Sequence, residues 1–230
     1  MSINIGPAAS DDLRPRITVI GIGGATGGLG ASTLTAAVAL RAASAGLRTV
    51  AVDTSRWGTA LAIALGMESA PGLHWDDLVR SDGALPGEEL VGALPRAHGV
   101  ALLARDGIGS GVWTDLPRHV VHHARRAVAG VADLVLVDLP PGTGDVQLSL
   151  CQKAPVTGAI IVSTPQDVAL IDAARDIDMF RKASVPVLGV VENMSWLERP
   201  CSHCGETERF ELFGSGGGET VAEALTERLV

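Results

Sequence analysis

Tyrosine is absent from the 230 residues, and three phenylalanines and four tryptophans are the only aromatics, too few for base-stacking platforms or aromatic cages. Lysine is almost absent as well, with Lys153 and Lys182 the only two. The 18 Lys and Arg residues are outnumbered by 26 Asp and Glu. The resulting formal net charge of −8 and pI near 5.2 exclude a broad electrostatic grip on nucleic acid. Three cysteines make no disulfide framework, so a reducing cytoplasm is the expected setting. No apolar run approaches the roughly 18 residues that a membrane helix needs. The opening MSINIGPAASDD lacks a basic segment followed by an apolar one, so no secretory signal is expected there. What the chain does have is apolar residues, 47% of the total, enough for a substantial core and incompatible with global disorder.

Those residues fall in a regular pattern. Residues 1–15 form a short polar leader, and 16–230 read as one domain without repeats or linkers. Nearly continuous apolar runs at 17–22, 49–52, 100–103, 134–137, 159–162 and 187–191 predict strands covered on both faces. Helices are predicted at 32–45, 114–129, 145–153, 167–183 and 217–229, with Gly46 closing the first and Pro117 in the first turn of the second. Residues 56–98 read as short helices broken by Pro71-Gly72, Asp82-Gly83 and Pro86-Gly87. Such alternation predicts an α/β fold, a doubly wound, mostly parallel sheet with helices on both faces.

The first predicted strand runs into GIGGATGGLGAST (21–33), which opens the first helix. Glycines let successive N–H groups face a phosphate at a helix N-terminus, although a merely flexible turn is the alternative. The loop resembles the deviant Walker A sequence, K-G-G-x-G-K-[ST], of the MinD/ParA/Mrp P-loop ATPases. On that match Gly27, Gly28 and Gly30 are kept, and Thr26 and Ala31 replace both lysines. Ser32 stands at the Mg²⁺ ligand, with Thr33 beside it. Losing both ammonium groups removes charge that offsets the β/γ-phosphates and the transition state, so nucleotide binding is expected to survive and fast hydrolysis is not. The family's D-x-D after the second strand is here Asp53-Thr54-Ser55, which keeps only the first carboxylate. Asp53 could support Mg²⁺ or simply cap the turn that follows.

LVLVD (134–138) is a buried strand ending in a carboxylate, the Walker B arrangement, and Asp138 would lie where ligands bind in open α/β sheets. LPPGTGDVQLSL (139–150) resembles the switch II segment of Mrp/ApbC proteins, with Asp145 most simply a helix cap. GAIIVSTPQDVALIDA (158–173) and VPVLGVVENMSW (185–196) are similar to the same branch. The resemblance implies that Asn193 reads the base of ATP or ADP, for which an amide offers both a donor and an acceptor.

Cys201 and Cys204 form a C-x-x-C in PCSHCG (200–205), after the last predicted strand. Two thiolates hold one metal or two corners of a cluster, not a closed four-ligand site. A two-fold dimer would supply four thiolates at its axis. Together with RFELFGSGGGETVAEAL (209–225), the pair resembles Mrp-type iron–sulfur carriers, which implies a [4Fe–4S] cluster shared across a homodimer and apo iron–sulfur client proteins. Zinc at the same position stays open. A thioredoxin-like redox pair fits less well, because there the motif opens a helix after an early strand. Cys151 is expected to be a packed apolar residue, and His119 and His123 to lie on a solvated basic face. Trp75 and Trp113 are expected to anchor helices to the core. The acidic tail with Glu219, Glu223 and Glu227 does not resemble a basic membrane-targeting helix.

The resemblance divides along the chain. Residues 132–226 resemble Mrp/ApbC, whereas 16–138, including GASTL and VDTSRWGTALAIALG (52–66), resemble the CpaE/Ssd septum-site branch. Mrp proteins continue with another strand and helix where this chain ends. The leading expectation is a nucleotide-binding iron–sulfur carrier with weak or lost hydrolysis. The alternative is a non-catalytic regulator of septum or pilus placement.

Overall fold

The computed structural model describes residues 17–24, 26–55, 59–74, 77, 87–104, 130–142, 147 and 156–224. Each predicted strand is present, with its bounds matched or displaced by a residue at either end: β1 (Thr18–Gly23), β2 (Thr49–Asp53), β4 (Val100–Leu103), β5 (Leu134–Asp138), β6 (Gly158–Ser163) and β7 (Val187–Glu192). A two-residue strand, β3 (Arg96–Ala97), adds an antiparallel edge to β4. The seven strands lie in the order β3-β4-β2-β5-β1-β6-β7, and every pairing other than β3–β4 is parallel.

Side-chain alternation shows why both faces are covered. Along β5, Val135 and Val137 enter one core cluster with Ile177 and Phe180, while Leu134 and Leu136 enter another with Ala36 and Ala39. The second set comes from α1 (Ala31–Ser44) and the first from α4 (Asp167–Lys182), so the sheet is sandwiched between helices. Between 56 and 98 the described helices are α2 (Ala60–Ala64) and α3 (Gly87–Ala93). α1 stops where Gly46 takes φ 88°: its N–H donates to Ala43 C=O (2.9 Å) and that of Leu47 to Ala42 C=O (3.1 Å), a Schellman closure. α5 (Gly217–Ala224) packs on β7 and α4. No described helix is long and apolar enough to cross a membrane.

The sequence predicts neither β3, which falls in the stretch 56–98 read as short helices, nor the two strands that follow β7. β8 (Leu197–Pro200) and β9 (Thr207–Phe210) form a separate antiparallel hairpin. LERP and TERF are short, charged and almost wholly exposed, so they carry no buried periodicity from which a strand could be read. The leader, the predicted helices at 114–129 and 145–153 apart from Gln147, and the last residues of the terminal helix lie outside the described residues. So do His119, His123, Asp145, Cys151, Trp75 and Trp113.

Candidate functional site

In a parallel sheet every strand delivers its last residue to the same edge, here Gly23, Asp53, Asp138, Ser163 and Glu192. The glycine loop leaves β1 at that edge. It passes so close to β6 that a Cβ on Gly24 would stand 2.7 Å from the Val162 carbonyl oxygen. The loop ends at Gly30, which has φ 96° and whose missing Cβ would fall on the Asn193 amide nitrogen, so glycine is required there on two counts. Gly30 C=O accepts from Leu34 N–H (2.8 Å) and α1 begins. The start of α1 has no side-chain cap and no acidic residue, so its free N–H groups and the positive end of its dipole are left for an anion.

Beside that turn lie two buried carboxylates. Asp53 and Asp138 are register partners at the ends of β2 and β5, each 2% exposed. Asp53 accepts N–H bonds from Ser55 (2.8 Å) and Leu61 (3.4 Å), so it does cap the turn after β2. Burial raises its pKa, and those N–H bonds oppose the shift. Asp138 differs in that its Oδ1 is buried without a hydrogen-bond partner. Burial pushes its pKa up to about 7 against the pull of the Ser32 hydroxyl, with the charge of Asp53 adding to the rise and the Thr35 hydroxyl opposing it. The Asp138 backbone carbonyl is fixed by Thr54, which donates to it through both its N–H (3.1 Å) and its hydroxyl. A carboxylate oxygen without a partner beside a serine hydroxyl at a helix start is a hard-oxygen donor set that suits Mg²⁺. On this geometry Asp138 and Ser32 fit such an ion better than Asp53, whose oxygens are already engaged.

Asn193 follows β7. Its N–H donates to Ser163 C=O (2.8 Å) and its side-chain Nδ2 to Leu29 C=O (2.8 Å), which pins it to the glycine loop. Gly30, Ser32, Asp53, Asp138 and Asn193 therefore converge on one edge. Thr26, Gly27 and Gly28 are exposed on the loop, Ala31 is partly buried, and Thr33 lies on the outer side of α1. Thr35 and Thr54 were not anticipated as site residues. Thr35 could have been found from its place three residues after Ser32 on the same helix, whereas nothing local marks Thr54.

The cysteine pair sits apart from these residues, in the turn that joins β8 to β9. Cys201 N–H donates to Glu206 C=O (2.7 Å), and Gly205 N–H returns to Cys201 C=O (2.9 Å). This knuckle turns the N–H groups of Cys204 and His203 toward the Cys201 sulfur and lowers its pKa, the condition a ligating thiolate needs. Both cysteines are free thiols. Arg199 stacks on Phe210 (4.5 Å) and Arg209 on Trp196 (3.8 Å), bracing the hairpin. Met194, Trp196, Leu197, Leu212 and Phe213 flank it, each between 40% and 63% exposed. Among the described residues no group of three or more His, Cys, Asp and Glu side chains is gathered for a metal ion.

The chain is similar to known proteins over most of its length. A model of the family described as ParA: NUBPL iron-transfer P-loop NTPase matches residues 17–230, unbroken across the Walker B strand. An iron–sulfur cluster carrier protein from Deinococcus radiodurans is 41% identical over 223 residues, which cover 94% of this chain and 59% of that protein. The chain thus spans less than two thirds of that relative. Among solved structures, a nucleotide-binding protein from Archaeoglobus fulgidus in complex with ADP superposes with TM-score 0.69 at 30% identity, covering 92% of this chain and 79% of that one. The cell division ATPase MinD from Pyrococcus furiosus shares the fold, with TM-score 0.67 at 20% identity over 92% of this chain and 81% of its own.

Proposed function

The chain belongs to the NUBPL-type iron-transfer P-loop NTPase family, and from that premise we propose that it is a nucleotide-binding iron–sulfur cluster carrier. The cluster is its cargo, held by Cys201 and Cys204 of two copies. The observation that carries the reading is the knuckle: two free thiols in a hairpin turn whose backbone N–H groups favour the thiolate form of Cys201. Two thiolates are half a cluster's ligand set, and a two-fold axis through the turn supplies the other half. The exposed apolar side chains around the hairpin, Met194, Trp196, Leu197, Leu212 and Phe213, give that axis apolar area to bury.

Nucleotide binding rests on the vacant N–H groups of α1, with Asp138 and Ser32 supporting Mg²⁺ and Asn193 placed on the loop to meet the base. With Thr26 and Ala31 in place of both lysines, hydrolysis is weak or lost. Homodimerisation, apo client proteins and a cytoplasmic setting belong to the same reading.

Anaerobic reconstitution with iron and sulfide tests it. The expected product is a brown dimer with broad absorbance near 400 nm, four irons per two chains and no loading in Cys201→Ser or Cys204→Ser. Colourless protein, or a monomer that keeps zinc in preference to the cluster, overturns the carrier reading.

A further inference from the structure

Glu192, the last residue of β7, grips both ends of the segment that carries the cysteines. Its Oε1 accepts the Ser195 hydroxyl (2.7 Å), before the hairpin begins, and also the Gly216 N–H (3.0 Å), after it ends. Its Oε2 accepts the Gly218 N–H (2.5 Å) in the first turn of α5. The Gly217 N–H joins them, and the carboxylate sits below its usual pKa range because these donors outweigh its partial burial. One charged side chain thus closes the base of the excursion from 195 to 216, at whose tip Cys201 and Cys204 stand.

The residue beside it holds the other site. Asn193 is fixed by its backbone to Ser163 on β6 and by its amide to Leu29 in the glycine loop. A Cβ on Gly30 would collide with that amide nitrogen, so the glycine is what leaves room for Asn193 against the loop. Met194 follows in the left-handed region (φ 60°), a strained backbone conformation for a residue with a side chain. Two adjacent residues at one strand end therefore make hydrogen-bonded contact with the two parts of the molecule.

We propose that Glu192 is a positioning residue that transmits the state of the glycine loop, through Asn193, to the cysteine hairpin. Binding of a nucleoside diphosphate at the loop resets Asn193, Glu192 follows because it is the next residue, and the Gly216–Gly218 clamp shifts the base of the hairpin. The idea rests on the nucleotide and cysteine sites proposed above, but it requires no cluster. By thermodynamic reciprocity, thiol occupancy must alter nucleotide affinity by the same factor.

The test reads thiol chemistry rather than carriage. The rate of iodoacetamide alkylation of Cys201 and Cys204 in the full chain is measured with and without Mg·ADP, and ADP affinity is measured by calorimetry. The expected result is a nucleotide-dependent change of roughly fivefold in the wild type. In Glu192→Ala that change should fall to within about 1.5-fold, while ADP affinity stays within about threefold, which falls short of the usual range of coupling factors. A residue of merely structural importance would alter the alkylation rate equally with and without ADP. Should Glu192→Ala fail to fold, Ser195→Ala removes only the hydroxyl donor and should reduce the nucleotide response measurably. An unchanged response in both variants, or no response to ADP in the wild type, overturns the proposal. Failed iron loading with an intact thiol response would remove the carrier reading and leave this coupling standing. Normal loading with no thiol response would do the reverse.

Discussion

Asp53 and Asp138 stand opposite one another on adjacent parallel strands, each 2% exposed, yet only Asp53 has its carboxylate satisfied. Burial, with the neighbouring charge of Asp53 adding to it, holds Asp138 at a pKa of about 7. A carboxyl raised in the fold favours the folded state while it is protonated. Its stabilising share is lost as pH climbs from the ordinary carboxylate range through 7. Asp138→Asn should therefore raise the Tm of the nucleotide-free protein at pH 8 by roughly 3–8 °C, and by little at pH 4. A divalent cation competes with that proton, so Mg²⁺-dependent ADP binding should tighten between pH 6 and 8 in the wild type, and the Mg²⁺ dependence should vanish in the variant. Calorimetric titration across that range checks both, and a flat pH profile would contradict the assignment.

Asp176 carries a similar shift without the same purpose. It is fully buried on α4, neither carboxylate oxygen has a hydrogen-bond partner among the described residues, and burial followed by the charge of Asp172 raises its pKa to about 7. It lies on α4 rather than at the strand ends that carry Asp53 and Asp138. Asp176→Asn should gain about 1–3 kcal/mol of stability at pH 8, a gain that shrinks toward pH 4, where the folded carboxyl is neutral and the unfolded one is about half protonated. Mg·ADP should leave this difference unaltered, unlike that at Asp138. Urea melts of both variants with and without nucleotide separate the two.

How far these features were legible depended on how local they are. The glycine loop, Asp138 at the end of LVLVD and the Cys201–Cys204 spacing are written in short stretches whose chemistry follows from residue type and position. The strands were legible because burial on both faces leaves apolar runs. The β8–β9 hairpin was not, since a charged exposed ribbon has no buried face to leave a period. The contact of Asn193 with Leu29 spans 164 positions, and those of Glu192 with Gly216 and Gly218 span 24 and 26. No local pattern reports such distances, so the sequence offered no role for Glu192, which falls just past the predicted strand at 187–191, and no sign that Asn193 also braces the loop.

That brace gives a double-mutant prediction. Gly30→Ala places a methyl in the left-handed region and against the Asn193 amide, and should cost about 1–3 kcal/mol and weaken ADP binding. Asn193→Ala removes the obstacle but also the bond to Leu29. If the crowding is real, the double variant should be less damaged than the sum of the singles, leaving only the backbone strain. Strict additivity in denaturant melts would show that the two residues do not press on each other.

The absence of lysine from the loop predicts how the site responds when one is returned. Ala31 is the first residue of α1 and partly buried, at the position where the P-loop lysine would reach the β/γ-phosphates. Ala31→Lys adds one ammonium beside the vacant N–H groups and should tighten ATP binding tenfold or more, equivalent to at least about 1.4 kcal/mol. Hydrolysis should not rise in step. Thr26 still occupies the place of the second ammonium, and Ser55 supplies only a hydroxyl, and a backbone N–H already given to Asp53, where a carboxylate would orient the attacking water. Binding and phosphate release should therefore separate in this variant, with affinity restored first and turnover only after Ser55→Asp and Thr26→Lys are added. Phosphate release that recovers with Ala31→Lys alone, and is abolished by Asp138→Ala in the same background, would mean that one ammonium suffices and that the remaining substitutions in the loop do not limit catalysis.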